Sequence, residues 1–254
     1  IPMNQFSKHL LKIKNALLDL FFPRRCVYCS RANFTGEYDF ICKDCEKEIY
    51  IIKGGRCLRC SEIIGPNNAP NALFCSKCVD DTPAFNWSMS CCIFNGPVRE
   101  IVHGLKYKNS PFLVADIIKI LRQTPGAEDF LRDSILVPVP LHYMRRIRRG
   151  YNQSELIAKS IIKAFPCANI RLLNALKRTR RTGTQTRLTK EERAENIKGA
   201  FDVISRKLAK IDKQNHIVIV DDVMTSCATM SECAKVLKRR GFKNVDAFAL
   251  ARKI

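Results

Sequence analysis

After about residue 86, two patterns of apolar and polar residues alternate along the chain. Short apolar runs predict strands, and longer stretches with an apolar residue every three or four positions predict helices. The predicted strands cover residues 90–94, 135–139, 170–173, 217–220 and 245–251, and the predicted helices cover residues 97–108, 113–122, 153–164 and 229–240. The run at 217–220 is apolar throughout, which is typical of a strand covered on both faces. The order of elements therefore predicts an α/β fold with a parallel sheet and helices on both of its faces.

The first third of the chain is poor in apolar clusters and rich in cysteine. Eight of the thirteen cysteines form four Cys-x-x-Cys pairs: Cys26 and Cys29, Cys42 and Cys45, Cys57 and Cys60, Cys75 and Cys78. Two such pairs supply four thiolates, which complete a tetrahedral Zn²⁺ site with no open position. We expect two structural Zn²⁺ ions in a small module similar to a double zinc ribbon, with sequential or interleaved pairing. Disulfides are the alternative, but five further cysteines and the lack of a recognisable secretory signal favour a reducing cytosol.

Composition divides the chain into three predicted parts. Residues 1–22 contain an amphipathic pattern with an apolar side chain every three or four positions between lysines, which predicts a helix. This helix is too short and too charged to cross a bilayer, so we expect it to pack on the cysteine-rich module or to lie on a membrane surface or a membrane partner. Residues 23–85 form the predicted zinc-binding module, which needs metal because it buries little apolar surface. Residues 86–254 are long enough for a core of their own.

The most specific chemistry follows directly after the predicted strand at residues 217–220. Asp221 and Asp222 come first, and a loop of small and hydroxyl side chains then leads into a predicted helix: Thr225, Ser226, Cys227, Ala228 and Thr229. The free N–H groups at a helix N-terminus bind phosphate, because the helix dipole is positive there. Two nearby carboxylates suit the hydroxyls of an attached ribose. Cys227 departs from the pattern, since a loop that approaches phosphate closely usually has Gly at this position.

Four apolar residues, two acidic residues and this loop resemble the motif with which type I phosphoribosyltransferases bind 5-phosphoribosyl-1-pyrophosphate (PRPP). Nearly the whole chain from residue 22 resembles the ComF competence family, on the four Cys-x-x-Cys pairs and the strings FNGPVREIVHGLKYK (94–108), VPVPLHYMRRIRRGYNQSELIA (137–158), LKRTRRTGTQTRLTKEERAENIKGAF (176–201) and VDDVMTSCAT (220–229). The resemblance implies a type I phosphoribosyltransferase-like domain, PRPP binding and a cytoplasmic role in DNA uptake during natural transformation.

The resemblance also implies roles for particular residues. In type I phosphoribosyltransferases a loop after the first core strand presents N–H groups to pyrophosphate, and the matching residues here are Val139, Pro140, Leu141 and His142. The polar segment 178–188 matches a loop that closes over the substrate, so the expected catalytic residues are Asp221 and Asp222 on the ribose and Arg180, Arg181 and Arg187 on the pyrophosphate. Mg²⁺ would bridge pyrophosphate and ribose. No pocket for an acceptor base is recognisable, which leaves turnover open.

The chain is strongly basic, with 44 Lys and Arg against 24 Asp and Glu. Residues 141–210 alone hold 18 basic and 5 acidic residues, so the charge is concentrated. The candidate nucleic-acid contacts in this segment are Arg145, Arg146, Arg148, Arg149, Tyr151, Lys177 and Arg178. Cations beside aromatic rings suit single-stranded DNA, with phosphates on the cations and bases on the rings. PRPP binding by some of these cations and a merely solvated surface are the alternatives.

Together these features predict a PRPP-binding, phosphoribosyltransferase-like protein that acts in DNA uptake and binds single-stranded DNA. We expect it in the cytoplasm or at the periphery of the inner membrane, where membrane-associated uptake machinery is a further candidate partner. The alternative is an active phosphoribosyltransferase of nucleotide-related metabolism whose acceptor is unidentified.

Overall fold

A five-stranded parallel sheet forms the centre of the computed structural model, which describes residues 24–32, 35–64, 73–180 and 190–254. In chain order the strands are β1 (Ser88–Ile93), β2 (Ser134–Pro138), β3 (Arg171–Leu172), β4 (Leu176–Arg178), β5 (Phe201–Val203), β6 (His216–Met224) and β7 (Val245–Arg252). The sheet order is β1-β7-β6-β2-β3, with every pair parallel, while β4 and β5 form a separate antiparallel pair. This topology confirms the predicted α/β fold.

Ten α-helices connect or flank these strands in the described part of the chain. They are α1 (Lys43–Glu46), α2 (Ser76–Asp80), α3 (Gly96–Tyr107), α4 (Val114–Gln123), α5 (Ala127–Leu131), α6 (Tyr143–Arg149), α7 (Gln153–Ala164), α8 (Lys190–Ile197), α9 (Ser205–Leu208) and α10 (Ala228–Arg239). The four helices predicted from periodicity are α3, α4, α7 and α10, and their ends lie within one residue of the predicted ones. The predicted amphipathic helix at residues 1–22 lies outside the described residues.

Both faces of the sheet are buried, which explains why β6 shows no alternation of apolar and polar residues. Val218 and Val220 point into a core cluster with helices α3, α4 and α7, whereas Ile217 and Ile219 point into a second cluster with α10 and the β4–β5 pair. Successive side chains of a strand point to opposite faces, so a strand between two such layers must be apolar at every position.

The one strand end that differs clearly from prediction is that of β6. The predicted strand ends at Val220, but the observed strand continues to Met224 because Asp221 pairs with Ala249 and Val223 with Ala251 of β7. On its other side β6 pairs with β2 only as far as Val220. The last residues of β6 are therefore held by one neighbour and open on the other side, where a ligand can approach.

The cysteine-rich segment packs directly on the sheet. Residues 50–52 run antiparallel to the outer edge of β1, where Ile52 N donates to Cys91 O (2.9 Å) and Ile93 N donates to Tyr50 O (3.0 Å). Asp116 of α4 is fully buried and accepts hydrogen bonds from the backbone N–H groups of Asp39 (2.7 Å) and Phe40 (3.0 Å). The strand-edge pairing and the hydrogen bonds to Asp116 both cross the predicted domain boundary at residue 85. The boundary stays a prediction.

Candidate functional site

A cavity of about 290 Å³ opens at the carboxyl ends of β2 and β6. The chain proceeds from β2 outward to β3 and from β6 in the opposite direction to β7, so the two loops diverge at this point. Ligands of open parallel sheets bind at such a switch in strand order. Most residues expected to bind PRPP line this cavity: Val139, Pro140, Leu141, Asp221, Asp222, Thr225, Cys227, Ala228 and Thr229.

Asp221 and Asp222 form a buried acidic pair whose charge is balanced by a lysine. Lys106 of α3 lies 2.7 Å from Asp222 Oδ1, and Ser154 Oγ donates to Asp221 Oδ1 (2.8 Å). Burial and then the charge of Asp222 raise the pKa of Asp221, while Lys106 opposes the rise. Burial alone would lower the pKa of Lys106, but Asp222 and then Asp221 bring it above its ordinary value. The pair is therefore a charged network rather than two isolated carboxylates.

One oxygen of this network is left without a partner. Asp222 Oδ2 is buried and has no hydrogen-bond partner among the described residues, although Asp222 lines the cavity. Buried acceptors are nearly always satisfied in native proteins, and an unsatisfied one at a cavity commonly indicates a missing ligand or ion. Carboxylate oxygens are hard ligands that suit Mg²⁺.

The loop that the sequence analysis assigns to phosphate, residues 225–229, connects β6 to the N-terminus of α10 and is called the phosphate loop below. Cys227 precedes the helix with φ +63°, and Ser231 N donates to Cys227 O in the first turn. The sequence pattern favours Gly at this place, and the left-handed conformation gives the physical reason for that preference. Cys227 is 8% exposed, and burial raises its pKa to about 11, so its thiol is protonated at neutral pH. Ser226 faces a different cavity, behind the loop.

The loop after β2, residues 139–142, is held by a residue that the sequence analysis did not single out. Asn152 Nδ2 donates to Val139 O (3.0 Å), and Asn152 Oδ1 accepts from Ser154 N (3.1 Å) at the N-terminus of α7. One side chain thus caps the helix and fixes the loop. His142 does not line the cavity; it is buried at the start of α6 and accepts from Arg145 N and Arg146 N through its carbonyl.

Helix α6 separates the four arginines of the first basic cluster. Arg145 and Arg149, four residues apart, are half-buried and line the cavity, whereas Arg146 and Arg148 are exposed. Residues four apart share one helix face, which accounts for this division. Tyr151 does not present a free hydroxyl, because its OH donates to Leu105 O (2.8 Å).

The β4–β5 pair brings a further cation to the cavity. Arg178 lines it, with its guanidinium 5.2 Å from the ring centroid of Phe201, while Lys177 points away and pairs with Asp202 (3.3 Å). Arg180 donates to Lys198 O (2.7 Å) outside the cavity. Arg181 and Arg187 lie outside the described residues.

The eight paired cysteines form two four-cysteine clusters with sequential pairing. The first cluster contains Cys26, Cys29, Cys42 and Cys45, the second contains Cys57, Cys60, Cys75 and Cys78, and all sulfurs within a cluster lie within 4.8 Å of one another. Tetrahedral Zn²⁺ with bonds of about 2.3 Å to sulfur requires a separation of about 3.8 Å, which these distances fit. All thirteen cysteines are free of disulfides. The two four-cysteine clusters lie in the two different core clusters, so each supports one face of the sheet.

Comparison with known proteins agrees with this architecture. Residues 17–79 match the double zinc ribbon domain, and residues 134–254 match the phosphoribosyl transferase domain. The chain is 26% identical to competence protein F of Haemophilus influenzae over 91% of this chain and 98% of that protein. It is 32% identical to DNA utilization protein YhgH of Salmonella typhi over 71% of this chain and 78% of that protein. The chain belongs to the ComF family.

Competence protein ComFC of Bacillus subtilis extends the ComF family comparison, at 23% identity over 84% of each chain. The match to a double zinc ribbon domain agrees with the two four-cysteine clusters, which fit two zinc-binding sites. Within the described part of the chain, no helix combines the length and the apolar character that a membrane span needs.

Proposed function

We propose that this ComF-family protein acts in DNA uptake, that its cavity binds PRPP, and that it binds single-stranded DNA on the basic surface beside the cavity. The observation that carries the PRPP assignment is the convergence of two carboxylates, a helix N-terminal phosphate loop and three arginines on one cavity of about 290 Å³. The names competence protein and DNA utilization protein of its relatives support the role in DNA uptake.

The charges of the cavity suit the two ends of PRPP. The phosphate loop offers N–H groups and hydroxyls to the 5-phosphate, and Arg145, Arg149 and Arg178 offer cations to pyrophosphate. Asp221 and Asp222 accept hydrogen bonds from the ribose hydroxyls. The orphaned Asp222 Oδ2 fits Mg²⁺, which would neutralise pyrophosphate and favour its departure.

Single-stranded DNA would contact the exposed surface of α6. Arg146 and Arg148 are exposed on this helix, and so is the aromatic ring of Tyr143, which is 65% exposed. Cations and an exposed ring on one short helix offer phosphate contacts and a stacking platform. Tyr151 is half-buried, so it offers less ring surface for stacking than Tyr143 does.

Two matched double variants test both assignments at once. R145Q/R149Q removes the two arginines that line the cavity and should weaken PRPP binding at least tenfold, measured by titration calorimetry with Mg²⁺. R146Q/R148Q removes the two exposed ones and should leave PRPP affinity unchanged, but should flatten the plot of log DNA affinity against log salt by about 1.4 units. Equal effects of the two variants on both ligands would contradict the division of roles.

The second candidate is catalytic transfer of phosphoribose to an acceptor. The match of residues 134–254 to the phosphoribosyl transferase domain favours it, together with the acidic pair in the cavity. An assay of pyrophosphate release from PRPP distinguishes catalytic transfer from binding alone. The release is measured with and without single-stranded DNA and candidate nitrogen acceptors. Turnover that is lost in D221N/D222N would support the enzyme, whereas binding without turnover would favour PRPP as a ligand or effector.

A further inference from the structure

A buried arginine connects the second four-cysteine cluster to the phosphate loop. Arg252 ends β7 and is 5% exposed. Its Nη1 donates to Met224 O (3.1 Å) and to Thr225 O, and its Nη2 is paired with Glu62. The same guanidinium thus holds the last carbonyl of β6, the first carbonyl of the phosphate loop and a carboxylate in the cysteine-rich segment.

Glu62 belongs to the turn that forms the second four-cysteine cluster. Glu62 follows Cys60 by two residues, and the Glu62 carbonyl accepts a hydrogen bond from Cys57 N (2.8 Å). Ser61, between Cys60 and Glu62, has φ +58°. The position of the Glu62 carboxylate therefore depends on the geometry of the Cys57 and Cys60 turn. Lys77 contacts the same carboxylate (3.2 Å) from the outside, where its side chain is 69% exposed.

On this side Cys227 packs in the core cluster that contains the second four-cysteine cluster, but part of the phosphate loop borders open space. A cavity of about 430 Å³ lies between the second four-cysteine cluster and the loop, lined by Cys60, Cys78, Ser226 and Cys227 among others. The loop also contains the left-handed Cys227. An unfavourable backbone conformation persists only where its surroundings hold it, and here packing alone leaves a gap. The bridge from Glu62 through Arg252 crosses that gap.

We propose that Arg252 is a positioning residue for the phosphate loop and that the second four-cysteine cluster controls the conformation of this loop through Glu62. The part that concerns ligand affinity rests on the proposed PRPP site. Loss of metal from the second four-cysteine cluster then weakens ligand binding in the cavity, although the cluster itself does not line that cavity.

Three variants of the full chain test this link, each first shown to contain two Zn²⁺. R252Q and E62Q each break the bridge, whereas K77Q removes only the exposed partner of the same carboxylate and is the matched control. Hydrogen exchange of the amides at residues 225–229 should become about tenfold faster in R252Q and E62Q, and the Kd for PRPP should rise about tenfold. K77Q should match the wild type in both measurements.

The outcomes separate this proposal from the PRPP assignment. Faster exchange in R252Q and E62Q, with a wild type that does not bind PRPP, would support the bridge and refute the ligand. PRPP binding with unchanged exchange and affinity in both variants would refute the bridge. A change in R252Q alone would refute the link to the second four-cysteine cluster, and E62Q decides the question where R252Q does not fold.

Discussion

Replacing Lys106 by methionine tests the electrostatics of the acidic pair without any ligand. Methionine keeps an apolar stem of similar length and removes the ammonium that lies 2.7 Å from Asp222. Asp222 is left with both oxygens unpaired, beside the carboxyl of Asp221, in a site where the Asp222 side chain is 5% exposed. Removing one partner of a fully buried ion pair costs about 3–5 kcal/mol. Since the Lys106 side chain is 24% exposed, we expect a loss of about 3 kcal/mol at pH 8.

The matched control is Lys108→Met, which breaks a surface pair in the same part of the chain. Lys108 lies 3.4 Å from Glu100 with its side chain 64% exposed, so its loss should cost at most about 0.5 kcal/mol. The assay is urea unfolding of the zinc-loaded variants at several pH values. Without the lysine the pKa of Asp221 rises further, because Lys106 is the charge that opposes its rise. The native state of the variant then binds more protons than the unfolded state, and the stability deficit shrinks as pH falls.

Two results would refute this reasoning. A K106M variant no less stable than K108M at pH 8 would mean that the acidic pair is neutral or solvated in the native protein. A K106M deficit that grows as pH falls would contradict the sign of the linkage. The double variant K106M/D222N should recover part of the lost stability, because it removes the unpaired charge together with its partner.

Three further predictions concern other parts of the structure. Cys227→Gly should retain the phosphate loop, whereas Cys227→Val should lose about 2 kcal/mol or more in unfolding free energy, because a β-branched residue is a genuine outlier at positive φ. Burial raises the pKa of Asp116 to about 6, so the carboxyl ionises in the native protein between pH 5 and 7. The wild type should therefore lose about 1 kcal/mol of unfolding free energy over this range relative to Asp116→Asn, measured by chemical unfolding. Elemental analysis should find two Zn²⁺ per chain, and Cys57→Ser should lower this to one while destabilising the sheet as well, since the second four-cysteine cluster lies in its core.

The sequence predicts those features that depend on neighbouring residues. The apolar run before Asp221 predicts β6 and the place of the acidic pair, and the Cys-x-x-Cys spacing predicts two four-cysteine clusters. The sequence does not distinguish sequential from interleaved pairing of the Cys-x-x-Cys motifs, because the spacing within each motif is the same in both arrangements. Helix α6 gave no signal, since it is short and has no buried residue to produce an apolar face.

Contacts between distant positions could not be predicted. Lys106 and Asp222 meet only because α3 packs beside the end of β6, and Arg252 reaches Glu62 across most of the chain. A lysine beside an apolar helix face is a weak signal, since most such lysines extend into solvent. The extension of β6 to Met224 was equally hidden, because it depends on the length of β7 rather than on residues near Asp221.

The antiparallel pairing of residues 50–52 with β1 has a consequence for any attempt to shorten the protein. A fragment that starts near residue 86 would keep every strand of the parallel sheet but would leave the outer backbone groups of β1 uncovered. Exposed strand edges of this kind recruit other chains and cause aggregation. The cysteine-rich segment thus protects the sheet from self-association in addition to binding metal, and the two parts are best expressed together.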